Sequence, residues 1–542
     1  MSRRYDAVII GAGHNGLVCA YYLARAGLSV RIVERRGVVG GAAVTEEFHP
    51  GFRNSVASYT VGLLQPRVIA DMGLVARGYR VVERPISNFL PQEDGRYLKV
   101  GGGLARTQAE FGKFSARDAA ALPGYQAMLE GVAQVMRDMA LRPPPNVGGG
   151  WRALVDAAVQ GRRLSGLGLA RQRDLLALFT RSARDILDEW FDSDAVKAAF
   201  GFDSVVGNYA SPDTPGSAYV LLHHVFGEVN GQKGAWGHVI GGMGRITQLM
   251  AEACREAGVE ISVESPVERV LVESDGRGGE RIAGVRLEGG AEIPARRVIS
   301  NAGPALLYNR LMDPGDLPLD FARRMKCFRT ASGTFRMNVA LSALPRFAAL
   351  PEEGEHHRSG IILAPTLDYM DRAFADARAH GWARRPIVEM LIPSTVDDSL
   401  APPGAHVASL FCQQFAPVLP DGRRWDDPAE EQGAIDAIFG VIEAFAPGFR
   451  ASVLGHDALS PLGLERRLGL VGGDIMHGVM SLDQLWAARP VLGHGNYRGP
   501  VRGLYMCGAG THPGGGVTGA PGHNCAREVL RDGRMRRWRS GA

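Results

Sequence analysis

The sequence has no CxxC pair, and its six cysteines (Cys19, Cys254, Cys327, Cys412, Cys507 and Cys525) form no cluster. That scatter excludes a zinc ribbon or a CxxC redox centre and reads as reduced thiols among apolar neighbours. No apolar run reaches the ~18 residues that crossing a bilayer takes. Neither sign of charge dominates. The 61 Lys+Arg against 57 Asp+Glu leave a net charge of +4, too little for a dedicated nucleic-acid binder. Repeats and low-complexity tracts are absent. The opening Met1-Ser2-Arg3-Arg4-Tyr5-Asp6 leads directly into an apolar strand with no signal-peptide core, so a cytoplasmic location is expected. No metal site is expected. His223-His224 has no third ligand at usable spacing, and His356-His357, between Glu355 and Arg358, reads as exposed loop.

What is present is a chain of 542 residues, enough for roughly three to four domain-sized units. Its 71 glycines follow no period, which points to tight turns and to backbone that approaches a ligand.

The first such stretch follows a short apolar strand, 6–10. Gly11-Ala12-Gly13-His14-Asn15-Gly16 is a GxGxxG, Leu17, Ala20, Leu23 and Ala24 then share a helix face, and Gly27 ends the helix. A second strand over 28–33 closes on Glu34. Gly11 serves the tight turn, Gly13 admits a pyrophosphate to the backbone, and Gly16 lets helix and strand pack closely. The helix N-terminus supplies N–H groups and positive dipole for phosphate, and Glu34 stands where a carboxylate binds ribose hydroxyls and disfavours a 2′-phosphate. Arg35 follows, and Gly40-Gly41-Ala42 comes shortly after the acid. That pair resembles the extended dinucleotide motif of FAD enzymes in the glutathione-reductase superfamily, where this loop runs along the FAD.

Further along, 107–141 reads as helix, with a stripe of Phe111, Phe114, Leu122, Tyr125, Met128, Leu129, Val132 and Val135. Residues 143–150, rich in proline and glycine, read as a breaker. Residues 151–200 read as helical, and the prolines of 211–216 mark another break. Gly241-Gly242-Met243-Gly244 opens an amphipathic helix ending near Gly258. Strands are expected at 267–273, 282–287 and 292–299, with turns at 274–279 and 288–291. This helix and meander resemble the second FAD-domain segment of the same superfamily, which places Val267 at the cofactor. Strands at 331–345, 387–393 and 406–413 and a helix at 429–446 suggest a second domain of sheet and helices.

Near the end, a strand at 504–507 enters a glycine-rich loop, 508–526, that includes Gly508, Gly510, Gly516 and Val517, and a helix over 527–534 follows. Such a loop brings backbone N–H groups without side-chain bulk to a helix start, which suits a pyrophosphate or the edge of a flavin.

Over nearly its whole length the chain resembles the phytoene-dehydrogenase-related flavoproteins. The segments that carry the likeness include 8–17, 211–217 and Leu221-Leu222-His223-His224-Val225. Others are Gly234-Ala235-Trp236-Gly237-His238, continuing to Gly244, then 400–404, 480–485 and Gly514-Gly515-Gly516-Val517. The resemblance implies an α/β fold, α+β overall: a glutathione-reductase-type Rossmann FAD domain with a β-meander, and an amine-oxidase-like substrate domain of mixed sheet and helices. Expected boundaries are 1–75, 225–310 and 495–542 for the FAD domain, and 76–224 and 311–494 for the substrate domain. Disulfide reduction with a nicotinamide nucleotide is rejected, because the chain has neither a CxxxxC redox pair beside the first motif nor a second GxGxxG mid-chain.

The expected cofactor is FAD, held without a covalent bond. The expected activity is dehydrogenation, desaturation or other oxidation of an apolar, polyene, isoprenoid or lipid-like small molecule by hydride transfer to flavin N5, with oxygen or a quinone as acceptor. An amine oxidase on the same fold is the second reading, and a non-catalytic flavin-binding interaction protein the third. Trp236, His238 and the Gly241–Gly244 loop are candidates for the wall facing flavin or substrate. A packed tryptophan and a structurally satisfied histidine account for the first two equally well. His512 is a candidate acid/base or a structural hydrogen-bonding group. The tail from Arg527 carries six arginines and Trp538, either a solvated helix end or a peripheral contact with an anionic membrane. Oligomeric state is not legible.

Overall fold

The computed structural model describes residues 3–146, 148–274, 276 and 279–540, with side chains for all of these but Arg152 and 534–540. Strands that are apolar on both faces form the first layer. Ala7–Ile10 is buried throughout and Val30–Val33 nearly so, as strands covered on both sides require. They run parallel, Ile9 beside Ile32, and the helix His14–Arg25 carries the chain from one to the other. Glu260–Ser262, Val298–Ser300 and Leu504–Met506 complete a five-stranded parallel sheet in the order 260–262, 30–33, 7–10, 298–300, 504–506. The carboxyl ends of three neighbouring strands therefore send out the loops that begin at Gly11, Asn301 and Cys507. In open parallel sheets ligands bind beyond this edge.

A second sheet is seven-stranded and mixed, in the order 453–459, 335–341, 406–415, 382–391, 360–363, 88–91, 97–100. The helix Pro428–Phe445 lays Ile438, Ile442 and Phe445 against its Phe335, Val388 and Leu410. Leu122, Tyr125, Leu187, Phe191 and Leu221 form the core of a helical layer built from Ala116–Ala140, Ala183–Trp190, Asp194–Gly201 and Ser217–His223.

Several expectations are corrected. The single helix over 107–141 is two, Leu104–Gly112 and Ala116–Ala140, because Ser115 caps the second: its hydroxyl accepts from the Asp118 N–H at 3.1 Å. The third meander strand is also two. Ile293 pairs antiparallel with Val285, whereas Ile299 pairs parallel with Ile9, and no one strand lies in both sheets. The expected strand at 331–345 is shorter, Phe335–Leu341, and its polar Arg336 and Asn338 are buried against the chain from Asn54 to Tyr59. His356 and His357 are buried rather than exposed, with Pro345 O 2.9 Å from His357 Nε2.

The closing loop ends earlier than expected, because a helix already starts at Ala520 and runs to Ser540. Pro521 suits a first turn, where its missing N–H costs nothing. A Cβ on Gly522 would stand 2.2 Å from Asn15 O, so this helix meets His14–Arg25 backbone to backbone. Within the expected breaker at 143–150, Gly150 already begins a helix and Val147 lies outside the described residues. Asp275, Arg277 and Gly278 of the expected turn, and the tail side chains from Arg534 on, also lie outside them. Among the described residues no helix is long and apolar enough to cross a membrane.

Candidate active site

The opening glycines make a cradle that side chains would fill. Gly11 has φ +93°, and a Cβ on Gly16 would come within 2.4 Å of Gly11 O. Gly40 donates its N–H to Ala12 O at 2.9 Å, and Gly41 lies against Gly13, so the two glycine loops form one surface. The helix His14–Arg25 starts at Gly13 with no side-chain cap, which leaves its first N–H groups for a ligand or water. His14 Nε2 and Asn15 Oδ1 are buried without a partner among the described residues. Glu34 accepts from the Ala12 N–H at 2.7 Å and the Arg36 N–H at 2.9 Å. It thereby pins the loop and keeps lone pairs on both oxygens. An uncapped helix start, a glycine cradle, orphaned polar atoms and a buried acid together fit the dinucleotide of FAD.

Beyond the cradle lies a cavity of about 540 Å³. His14, Ala42, Ala509, Gly516 and Val517 line it from the side of the glycine loops, and Leu63, Leu129, Val206, Leu221 and Phe411 supply apolar wall. Glu130 and Lys233, both exposed, pair at 3.2 Å on its rim. Trp236 also lines it, held by its Nε1–H to His224 O at 3.0 Å and stacked on the His224 ring with centroids 5.7 Å apart. Burial pushes three lining histidines down, His14 and His477 to about 4 and His223 to about 3, so all three are neutral at physiological pH. A polar wall formed by Tyr59, Arg84, Tyr125, Asp203 and Glu389 completes the enclosure.

Two candidates lie off the cavity. His238 sits in the short strand Gly237–Val239, 2.9 Å from the Asp397 carboxylate. Burial would raise that carboxyl, but bonds from His238, Ser399 and the Gly241 N–H outweigh burial and hold it at about 2. His512 faces Met139 O at 3.2 Å and is pushed down to about 4 by burial. The Gly241–Met243 turn is not a donor surface. The Gly241 N–H goes to Asp397 and the Met243 N–H to Ser55, while Gly242 N–H closes the turn on Val239 O. The next N–H, of Gly244, goes to Thr45. Arg35 points away from the cradle, its guanidinium on Arg467 O at 3.0 Å. Val267 opens the meander two residues after Ser265, whose N–H donates to Glu34 O at 2.7 Å. Gly508 and Gly510 serve close packing, since a Cβ would stand 2.4 Å from Asn301 O and 2.2 Å from Pro304 Cδ respectively.

The polar wall went unread because its five residues come from five separated segments. One signal was available: Glu389 interrupts the apolar strand Trp382–Leu391, where an acid must find a partner.

Residues 16–334, more than half of the chain, match the family described as flavin containing amine oxidoreductase. Among similar proteins, pyridine nucleotide-disulfide oxidoreductase domain-containing protein 2 of Rattus norvegicus is 42% identical over 97% of this chain and 94% of its own. A limonene dehydrogenase component from Castellaniella defragrans is 26% identical over 99% and 96%. The lycopene-forming phytoene desaturase of Pantoea ananas is 26% identical over 95% and 96%. Among solved structures, an oxidoreductase from Methanosarcina mazei superposes with a TM-score of 0.58 at 17% identity, covering 97% of this chain and 99% of that one. Putrescine oxidase bound to putrescine superposes with 0.57 at 15%, covering 98% and 99%. These two likenesses are of fold. Family match, relatives and cradle agree: the chain belongs to the flavin containing amine oxidoreductases and is an FAD-dependent oxidoreductase.

Proposed function

We propose that this protein dehydrogenates or otherwise oxidises an apolar, isoprenoid- or lipid-like small molecule inside the cavity. The observation that carries this is the cavity itself: one enclosure is lined by the glycine loops on one side and by Leu63, Leu129, Val206 and Phe411 on another. Two relatives, a limonene dehydrogenase component and a phytoene desaturase, support an isoprenoid-like substrate. Gly11, Gly13, Gly16 and the first N–H groups of the following helix would hold the pyrophosphate, and Glu34 a ribose. Gly40, Gly41, Gly516 and Val517 would border the rest of FAD. When bound, FAD supplies the hydride acceptor at flavin N5 and the route on to oxygen or a quinone. Cys507 and Cys525 do not line the cavity, which favours non-covalent binding. The chain's own part is to exclude water and orient the substrate. Trp236 and the neutral His14, His223 and His477 would border the substrate's space without adding charge to it.

The experiment is an anaerobic screen for flavin bleaching with monoterpenes, polyenes, fatty-chain compounds and alkylamines. Reduction by members of the first three groups supports the proposal, and reduction by amines alone transfers the site to amine oxidation.

A further inference from the structure

Five polar groups converge on the cavity wall: Tyr59, Arg84, Tyr125, Asp203 and Glu389. Tyr59 donates its hydroxyl to Glu389. The Arg336 guanidinium lies 4.5 Å over the Tyr59 ring and donates to Leu410 O at 2.5 Å and Ser409 Oγ at 2.9 Å. Glu389 is thus answered by a phenol and by the field of two guanidinium groups, Arg84 at the wall and Arg336 in the sheet. Arg84 is a second cation. Its guanidinium donates to Thr60 Oγ1 at 2.7 Å and lies in the field of Glu389 and Tyr59 without closing to an ion pair within 4 Å among the described residues. A guanidinium has five N–H donors in a fork that matches a carboxylate, so most of this one remains available to the cavity it lines. Close by, the Tyr125 hydroxyl is buried and unpartnered. Burial pushes Asp203 up to about 7, so below neutral pH it is mostly protonated and donates a proton rather than repelling an anion. Arg84 is therefore the guanidinium of the cavity lining, and its remaining N–H donors face a space in which Asp203 carries its proton below neutral pH. Guanidinium donors held out of bulk water are costly to leave unanswered.

We propose that Arg84 binds a carboxylate carried by the substrate, whose apolar remainder lies along Leu63, Leu129, Val206, Leu221 and Phe411. The substrate class becomes an amphipathic acid rather than a pure hydrocarbon or an amine. This rests on the reading of the cavity as the substrate site.

The test is calorimetric titration of the FAD-loaded protein near pH 6 with decanoate, decanol and decylamine, which share a chain and differ in head group. Decanoate should bind at least roughly tenfold tighter than decanol, equivalent to about 1.4 kcal/mol. Arg84→Gln should abolish that preference with decanol binding and flavin content unchanged, and Arg84→Lys should keep part of it. The proposal is overturned if wild-type protein binds decanoate no better than decanol, binds decylamine best, or binds none of the three. It is equally overturned if Arg84→Gln keeps the preference. Should that variant not fold, Arg84→Lys and the wild-type ranking decide. Flavin bleaching on the same samples separates the two proposals. A decanoate preference in a protein whose flavin nothing bleaches keeps the anion subsite and ends the oxidation reading. Bleaching by neutral hydrocarbons without a decanoate preference does the reverse.

Discussion

Arg489 donates from both Nε and Nη2 to the carbonyl oxygen of Ala509, at 3.2 and 3.0 Å, and so ties the closing glycine loop to the chain from Met476 to Gln484. The same guanidinium reaches the carbonyls of Met476, Gly478 and Gln484 and is fully buried. Asp474, buried nearby, accepts the N–H groups of Ala331, Met476 and Gly478 and is pushed up to about 6 by its burial. Arg489→Met would strip these carbonyls of a donor and leave Asp474 without its nearby cation. We expect a loss of about 3–5 kcal/mol and a fall in FAD content, read by thermal melting and by flavin released per chain.

Two glycine substitutions separate fit from strain. Gly16→Ala places a Cβ 2.4 Å from Gly11 O inside the cradle, so the purified protein should carry little flavin. Gly27→Ala meets no atom within 4 Å but must hold φ +84°. It should cost about 1–2 kcal/mol of stability and keep its flavin. Equal flavin content in both would refute the role given to the cradle.

The buried Asp203 makes stability depend on pH. Its folded pKa, about 7, lies above its ordinary value of 3.8 because burial disfavours the charged form. Between those values the unfolded chain has released the proton that the folded chain keeps. This contribution is therefore fully present below about pH 4 and is lost as pH rises through about 7. Asp203→Asn should raise the melting temperature at pH 8 relative to wild type more than at pH 5. A pH-independent difference would show that Asp203 is not buried as described.

His238 and Trp236, neighbours in sequence, should part in function. Trp236→Ala removes cavity wall and should lower kcat/KM for a bleaching substrate by about tenfold or more, the order expected when a large buried contact is lost, with flavin content unchanged. His238→Ala removes the Asp397 bond and should lower stability while leaving the bleaching rate of the folded protein within about twofold. Similar kinetic losses in both would return His238 to the site.

What the sequence showed well was whatever is local. The first two strands, the glycine turn and Glu34 are read within about thirty residues, because one βαβ unit imposes its spacing on consecutive positions. Trp236, within the 234–244 segment, lines the cavity. The polar wall was illegible for the opposite reason: Tyr59, Arg84, Tyr125, Asp203 and Glu389 meet only once the helical layer and the mixed sheet enclose one space. His238 misled because an aromatic or imidazole in a motif carries no sign of which side of its strand meets the cavity. That side is visible only in the pairing of Gly237–Val239 with Val81–Glu83 and the nearness of Asp397.

The most direct test of the central claim is an absorbance spectrum of the purified protein, followed by denaturation and identification of the released chromophore. The account predicts flavin bands and free FAD at one per chain after denaturation. A colourless protein that also takes up no added FAD would contradict it.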